Sequence, residues 1–336
     1  MDRPRLLGRV RHTRAVGEQE HPGWVTNLIA AGGVQPGERV LVVVDEPLAE
    51  EGSELAAAVR DAGGDSRLEL WVGERPLAEP PPAVAEAARQ ADIYFFLAQK
   101  PRPDEAGARI ALGEIMRGRG GRAVFLGLVD RELLTGELSQ PPPDLGASAR
   151  KLLDEVQGAD TVRIRGRAGT DLTVRITGRS WLTDALPLES GSFANYPGGE
   201  IFVSPLEDSA EGVLVADLTV PYTVEGLVDE PVTLRFRSGS VEAIEGGRAA
   251  ELLQGLVDEA GPSGRVIAEL GIGLNPTVIP RGHVMLDEKA ARTAHVAIGS
   301  NVGAYGGVNE STIHVDCVFS EPELEVDGRP VAIPVP

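Results

Sequence analysis

The sequence predicts an α/β N-terminal domain built on a parallel sheet, followed by an α+β C-terminal domain with a largely antiparallel, curled sheet. Three observations carry this reading. In the first half, apolar strands alternate with helical stretches four times, which calls for a parallel sheet with crossover helices. The second half changes to short alternating strands separated by turns. Between them QPPPD at 140–144 breaks the composition and marks a linker. The expected domains are 1–145, Rossmann-like, and 146–336, the α+β unit that carries the candidate metal residues. A chain of 336 residues has room for both, because single cores seldom grow past roughly 250–300 residues.

The elements follow in order. WVTNLIAAGGV reads as a short helix that Gly32 and Gly33 end. A Pro-Gly turn then leads into the all-apolar strand 40–44, whose pattern suits a strand covered on both faces. A helix over 52–62, apolar at Leu55, Ala58, Val59 and Ala62, stops at Gly63-Gly64. SRLELWV is the second strand, EPPPAVAEAARQ a proline-led helix and ADIYFFLAQ the third strand. A helix over 106–116 precedes GRAVFLGLV. Beyond the linker, a helix over 147–156 opens the second half. TVRIRG, TDLTVRITG, EGVLVADLTVPY, TLRFRSG and SVEAIEGG then read as antiparallel strands, interrupted by a helix over 249–260.

Composition removes several classes of function. A formal charge of -19 argues against nucleic acid, which needs a basic face. The first half invites a nucleotide, but no GxGxxG follows its first strand and no GxxxxGK[ST] occurs. GRGGR at 118–122 precedes a strand and reads as a turn. The single cysteine, Cys317, excludes a disulfide within the chain and fits a reducing cytoplasm. The N-terminus is charged and lacks an apolar signal region, and no apolar run reaches the roughly 18 residues of a membrane span. A soluble, cytoplasmic protein without membrane contact is expected.

Two of the five histidines lie between 295 and 316. His314 and Asp316 in IHVDCVF stand at i, i+2, on one face of a strand. His295 sits in the similar run AHVAIG. A buried carboxylate beside an imidazole needs a partner or a metal. Two imidazoles and a carboxylate gathered across neighbouring strands form the donor set of a transition-metal site. The glycines between them, at 299, 303, 306 and 307, permit tight turns. Three further stretches put acids in apolar surroundings. In NYPGGEIFVSP, Glu200 is either the exposed first residue of a strand or points inward to a partner. Glu269 interrupts VIAELGIG. Asp287 and Glu288 precede AARTA, where they can simply open a helical turn and serve its dipole.

In this order NYPGGEIFVSP, AELGIGLNP, LDEKAARTAHVAIGSN, HVD and LEVDGRPV resemble the aminopeptidase T-type metalloaminopeptidases, the thermophilic metalloprotease family, over residues 160–330. The resemblance implies a centre of two divalent ions (Zn, Co or Mn) held by Glu200, Glu269, His295, His314 and Asp316. It implies Glu288 as general base and a tyrosine near the metals, for which Tyr305 is the nearest; Val302 stands where the family's tyrosine would. A peptide substrate and a homodimer come with it. Two ions about 3.5–4 Å apart hold a hydroxide and polarise the scissile carbonyl, and mixed N/O donors suit Zn, Co or Mn rather than Ca. A relative of this family is the 2,5-dihydroxypyridine ring-cleaving dioxygenase, which uses one Fe(II). His295, His314 and Asp316 alone would make its triad, whereas Glu200 and Glu269 favour the two-metal peptidase. A third reading is a descendant that binds without turnover.

Overall fold

The protein is described by a computed structural model over residues 21–185 and 187–334; the charged N-terminal stretch, expected to hold no signal peptide, lies outside them. The first half runs α1 (Gly23–Gly32), β1 (Arg39–Val44), α2 (Ala49–Asp61), β2 (Asp65–Leu70), α3 (Pro82–Ala88), β3 (Ile93–Ala98), α4 (Ala106–Arg117), β4 (Arg122–Gly127) and α5 (Arg131–Thr135); α6 (Gly146–Val156) then leads into the second half, whose core takes its Ala149, Leu152 and Val156. Strands β1 to β4 are parallel, and β1 lies between β2 and β3. That position explains the unbroken apolar run of β1. Val40, Val42 and Val44 face one core with Trp24 and Leu55 from the helices, while Leu41 and Val43 face a second core with Val84 and Leu112. A strand covered on both faces has no solvated side on which to place polar residues.

The second half begins with β5 (Thr161–Arg165), β6 (Asp171–Arg175), β7 (Leu182–Thr183), β8 (Phe193–Asn195), β9 (Glu200–Val203), β10 (Glu211–Ala216), β11 (Val232–Arg237) and β12 (Ser240–Glu245). It continues with α7 (Arg248–Ala260), β13 (Ile267–Gly273), α8 (Val284–Asp287), β14 (Thr293–Gly299), β15 (His314–Ser320), β16 (Glu323–Val326) and β17 (Arg329–Val331). One short strand, β8, returns to the parallel sheet and pairs with β4. The others form a seven-stranded sheet, ordered β12-β11-β10-β6-β5-β16-β17, and a five-stranded sheet, ordered β15-β14-β13-β9-β7. The strands with alternating sequences lie in the larger sheet, where TVRIR and VTLRFR bury every second residue.

The two antiparallel sheets share one core. Val162, Leu172 and Leu214 from the larger sheet join Ile201, Leu270, Val296 and Val315 from the smaller. Strand alternation therefore sends the intervening residues of β9, β13, β14 and β15 to the opposite face of the smaller sheet. β9, β13 and β14 are nonetheless buried throughout, because the parallel-sheet half covers that second face, while His314, Asp316 and Ser320 of β15 stay partly exposed. Among the described residues, no helix is long and apolar enough to cross a membrane.

Candidate metal centre

The face of the five-stranded sheet turned away from the sandwich core carries the candidate residues. β14 pairs with β15 so that Ala297 lies opposite Asp316 and Gly299 opposite His314. β13 pairs with β14 so that Gly271 lies opposite His295 and Glu269 opposite Ala297. β9 brings Glu200 opposite Gly273. The glycines among these partners let other groups approach closely: the backbone of Ala290 lies against Gly273 and that of Ile313 against Gly299, and the His295 ring lies over Gly271. At Gly271 a side chain is excluded: an added Cβ would lie 2.0 Å from Cε1 and 2.4 Å from Nε2 of His295.

All five residues implied as ligands come together. His295 Nε2 is 3.3 Å from Glu269 Oε1 and 3.9 Å from Asp316 Oδ1. His314 Nε2 is 3.2 Å from Glu269 Oε2 and 3.2 Å from Asp316 Oδ1. Each imidazole thus faces its own oxygen of Glu269. On its other side, His295 Nδ1 is 3.7 Å from Glu200 Oε2. Three groups offer donor atoms within 4.8 Å of one another: Glu200, Glu269 and His295; Glu269, His314 and Asp316; and Glu288, His295 and Asp316. His314 Nδ1 donates to the Ser300 carbonyl at 2.7 Å, which turns Nε2 and its lone pair toward the carboxylates. An outer hydrogen bond of this kind orients a metal-binding histidine.

These residues fit a divalent ion. His295 Nδ1 and Glu200 Oε2 are buried without a hydrogen-bond partner, a costly arrangement unless something else meets them. Donors held at roughly 2.0–2.2 Å from one ion sit about 3–3.5 Å apart, close to the separations among His295, Glu269, His314 and Asp316. Without an ion the charges settle on one another. Burial lowers the His295 imidazole, but Glu200, Glu269 and Asp316 outweigh it and carry its pKa up to about 10. Burial raises Asp316, and His314 and His295 bring it down to about 2.

The acids at 287 and 288 do not open a helical turn. Asp287 is the last residue of α8 and Glu288 its C-cap, so they end a turn rather than open one, and the dipole reading is corrected. Asp287 instead accepts from the backbone N–H groups of Arg281, Gly282 and His283 and from the Thr219 hydroxyl. Glu288 points into the centre and is buried; desolvation raises its carboxyl above the usual range. Glu200, left open by the sequence between an exposed and an inward position, is inward and buried. Its partner is Lys289, which the sequence reading passed over. Lys289 is fully buried and donates to Glu200 Oε1 and, at 2.8 Å, to Glu288 Oε1, with Asp184 Oδ2 at 3.4 Å. Burial opposes its charge, but Glu200, Glu288 and Asp184 outweigh it and hold the ammonium pKa well above the lysine range. The one available signal was a lysine directly after two acids in an otherwise apolar stretch. Asp184 in WLTDALP carried none.

A cavity of about 260 Å³ opens over these residues. Phe96, Leu112, Met116 and Phe125 from the parallel-sheet half line it, and Arg109 and Tyr222 add polar groups. Tyr305 stacks on His314 with ring centroids 5.1 Å apart and an interplanar angle of 28°. Tyr305, not Val302, therefore puts an aromatic ring against the candidate ligands.

The sequence pattern of the thermophilic metalloprotease (M29) family matches residues 146–331. The chain belongs to this family. Within it, aminopeptidase AmpS of Bacillus subtilis is 28% identical over 185 residues, 48% of this chain and 43% of AmpS. The 2,5-dihydroxypyridine 5,6-dioxygenase of Pseudomonas putida is 31% identical over 123 residues, 35% of each chain. In sequence, then, the match spans less than half the length of these relatives. The fold extends further. The solved structure of the Pseudomonas putida KT2440 dioxygenase superposes with a TM-score of 0.73 over 93% of this chain and 94% of its own, at 19% identity. Wild-type AmpT from Thermus thermophilus gives 0.64 over 92% and 96%, at 18% identity. Both halves of this chain therefore have counterparts in solved folds. Divalent-metal use comes with the family, and the donor groups above are where this chain can provide it.

Proposed function

We propose that this chain is a metal-dependent aminopeptidase acting through a metal-activated water. The observation that carries the reading is the meeting of Glu269, His295, His314 and Asp316, with Glu288 beside them, at the floor of a cavity between the two halves. A bound divalent ion supplies Lewis acidity toward a peptide carbonyl and lowers the pKa of a water. Glu288 takes the proton from that water and returns it to the leaving amine, a role that its raised carboxyl pKa favours. Tyr305 lies against His314, and burial holds its hydroxyl well above the usual range. It therefore stays protonated and is, with Arg109 and Tyr222 of the same cavity, a donor available to a developing oxyanion. Glu269, with one oxygen toward each histidine, would serve as a ligand beside either imidazole, whether one ion or two were held. Lys289, bonded to Glu200, weighs against the second.

A single-metal ring-cleaving dioxygenase is the second reading. Its support is the triad His295, His314 and Asp316 below a cavity with aromatic walls. The test has two arms. Chain loaded with Zn, Co or Mn is assayed on aminoacyl anilides, and Fe(II)-loaded chain is assayed for O2 uptake with a dihydroxylated aromatic. Hydrolysis in the first arm, lost in Glu288→Gln, supports the peptidase. O2 uptake without hydrolysis would replace it by the dioxygenase.

A further inference from the structure

We infer that Lys289 stands in the place of the second cation, so that the chain loads one tightly held ion per centre. The inference rests on the same site as the proposed function, but not on which reaction the site performs.

Two independent features lead to it. Glu200, the carboxylate that a second ion would need, already has a cation. Its Oε1 accepts from Lys289, which also reaches Glu288 and Asp184. Asp184 Oδ1 in turn accepts from the backbone N–H groups of Gly199 at 2.7 Å and Glu200 at 3.0 Å, locking the turn that delivers Glu200. The lysine is thus held by three carboxylates and has no exposure to water. The second feature is the orientation of His295. Glu269 and Asp316 stand off Nε2, whereas Glu200 stands off Nδ1. An imidazole nitrogen has one lone pair, in the ring plane. An ion met by Nε2 has Glu269, Asp316 and His314 around it and Glu200 behind the ring. In that arrangement Glu200 Oε2 faces Nδ1 at 3.7 Å, outside direct hydrogen-bond reach, and orients the ring by its charge without touching the metal. Glu200, expected from family resemblance to be a ligand, becomes a positioning residue held by Lys289.

The experiment is a metal count. Chain is saturated with Mn(II), freed of loosely bound ions and analysed by mass spectrometry, and its electron paramagnetic resonance is recorded. One ion per chain with an uncoupled manganese signal is expected. Two ions per chain, or an exchange-coupled signal, overturns the inference even if peptidase activity is present. Conversely, one ion in a chain without peptidase activity leaves the inference standing and removes the proposed function. Lys289→Ala opens the second position and should raise the count to two, while Lys289→Arg, which keeps the charge, should hold it at one. A folded Lys289→Ala that still loads one ion refutes the role given to the lysine. Should that variant not fold, Glu200→Gln decides. It should keep a count of one, with affinity lowered by the roughly 10–100-fold of an outer-shell change. Complete loss of the ion in Glu200→Gln would show Glu200 to be a ligand and overturn the inference.

Discussion

Gly271→Ala tests whether the centre depends on a single missing methyl group. Gly271 is a β13 residue whose backbone needs no left-handed conformation, so alanine is acceptable there as a strand residue. The obstacle is the partner strand. A Cβ at 271 would lie 2.0 Å from Cε1, 2.4 Å from Nε2 and 2.8 Å from Nδ1 of His295, where ordinary contact begins near 3.4 Å. The imidazole must give by about 1.4 Å, and it is buried beside Glu269 and Glu200 with little room to turn. Overpacking of this kind costs about 1–3 kcal/mol, a fall of several degrees in Tm for a chain of this size. The larger effect falls on the site. A displacement of roughly 1 Å can cost on the order of 100-fold in rate, and loss of alignment at a ligand should weaken ion binding at least as much as the 10–100-fold of an outer-shell change. Metal affinity is measured by competition with a chromophoric chelator, and stability by thermal melting in excess chelator. Wild-type metal affinity in a folded Gly271→Ala would refute the placement of His295 as a ligand.

Three further outcomes are expected. In metal-free protein the His295 pKa of about 10 lies above its unfolded value near 6.5, so its ionic contacts stabilise fully below about pH 6.5. That contribution is lost as pH rises through about 10. Melting curves from pH 6 to 10 should therefore fall for the chelated protein and stay flatter for the loaded one, where the imidazole is already neutral; parallel curves would contradict this. Asp316→Asn should abolish retention of the ion through gel filtration while circular dichroism stays unchanged. Asp287→Ala strands three backbone donors and the Thr219 hydroxyl and should cost roughly 3–5 kcal/mol in urea unfolding. It should leave the metal count unaltered, since this carboxylate ties the loop before α8 and does not reach the centre.

Much of this arrangement was legible before folding. The valine-rich β1 announced a strand buried on both faces, and the alternation of TVRIR and TLRFR announced sheets with a solvated side. His314 and Asp316, two residues apart in an apolar run, had to share a face of one strand. Glu200 was harder to read, because an acid at the mouth of IFV is ordinary when exposed, and only the covering half of the molecule makes it buried. Asp287 and Glu288 look alike in sequence. One satisfies backbone donors and the other enters the centre, because the short turn α8 ends between them and sends their side chains apart.

The sequence by itself determined the division into two kinds of sheet and the donor chemistry of the site, since strand periodicity and residue type are local properties. The tertiary structure decided which nitrogen of His295 faces which carboxylate, that Gly271 must lack a side chain, and that Lys289 is locked among Asp184, Glu200 and Glu288. These are relations between strands and loops far apart in the chain. Their consequences depend on burial, which removes water as the alternative partner for every charge and leaves each group dependent on the neighbours that folding brings to it.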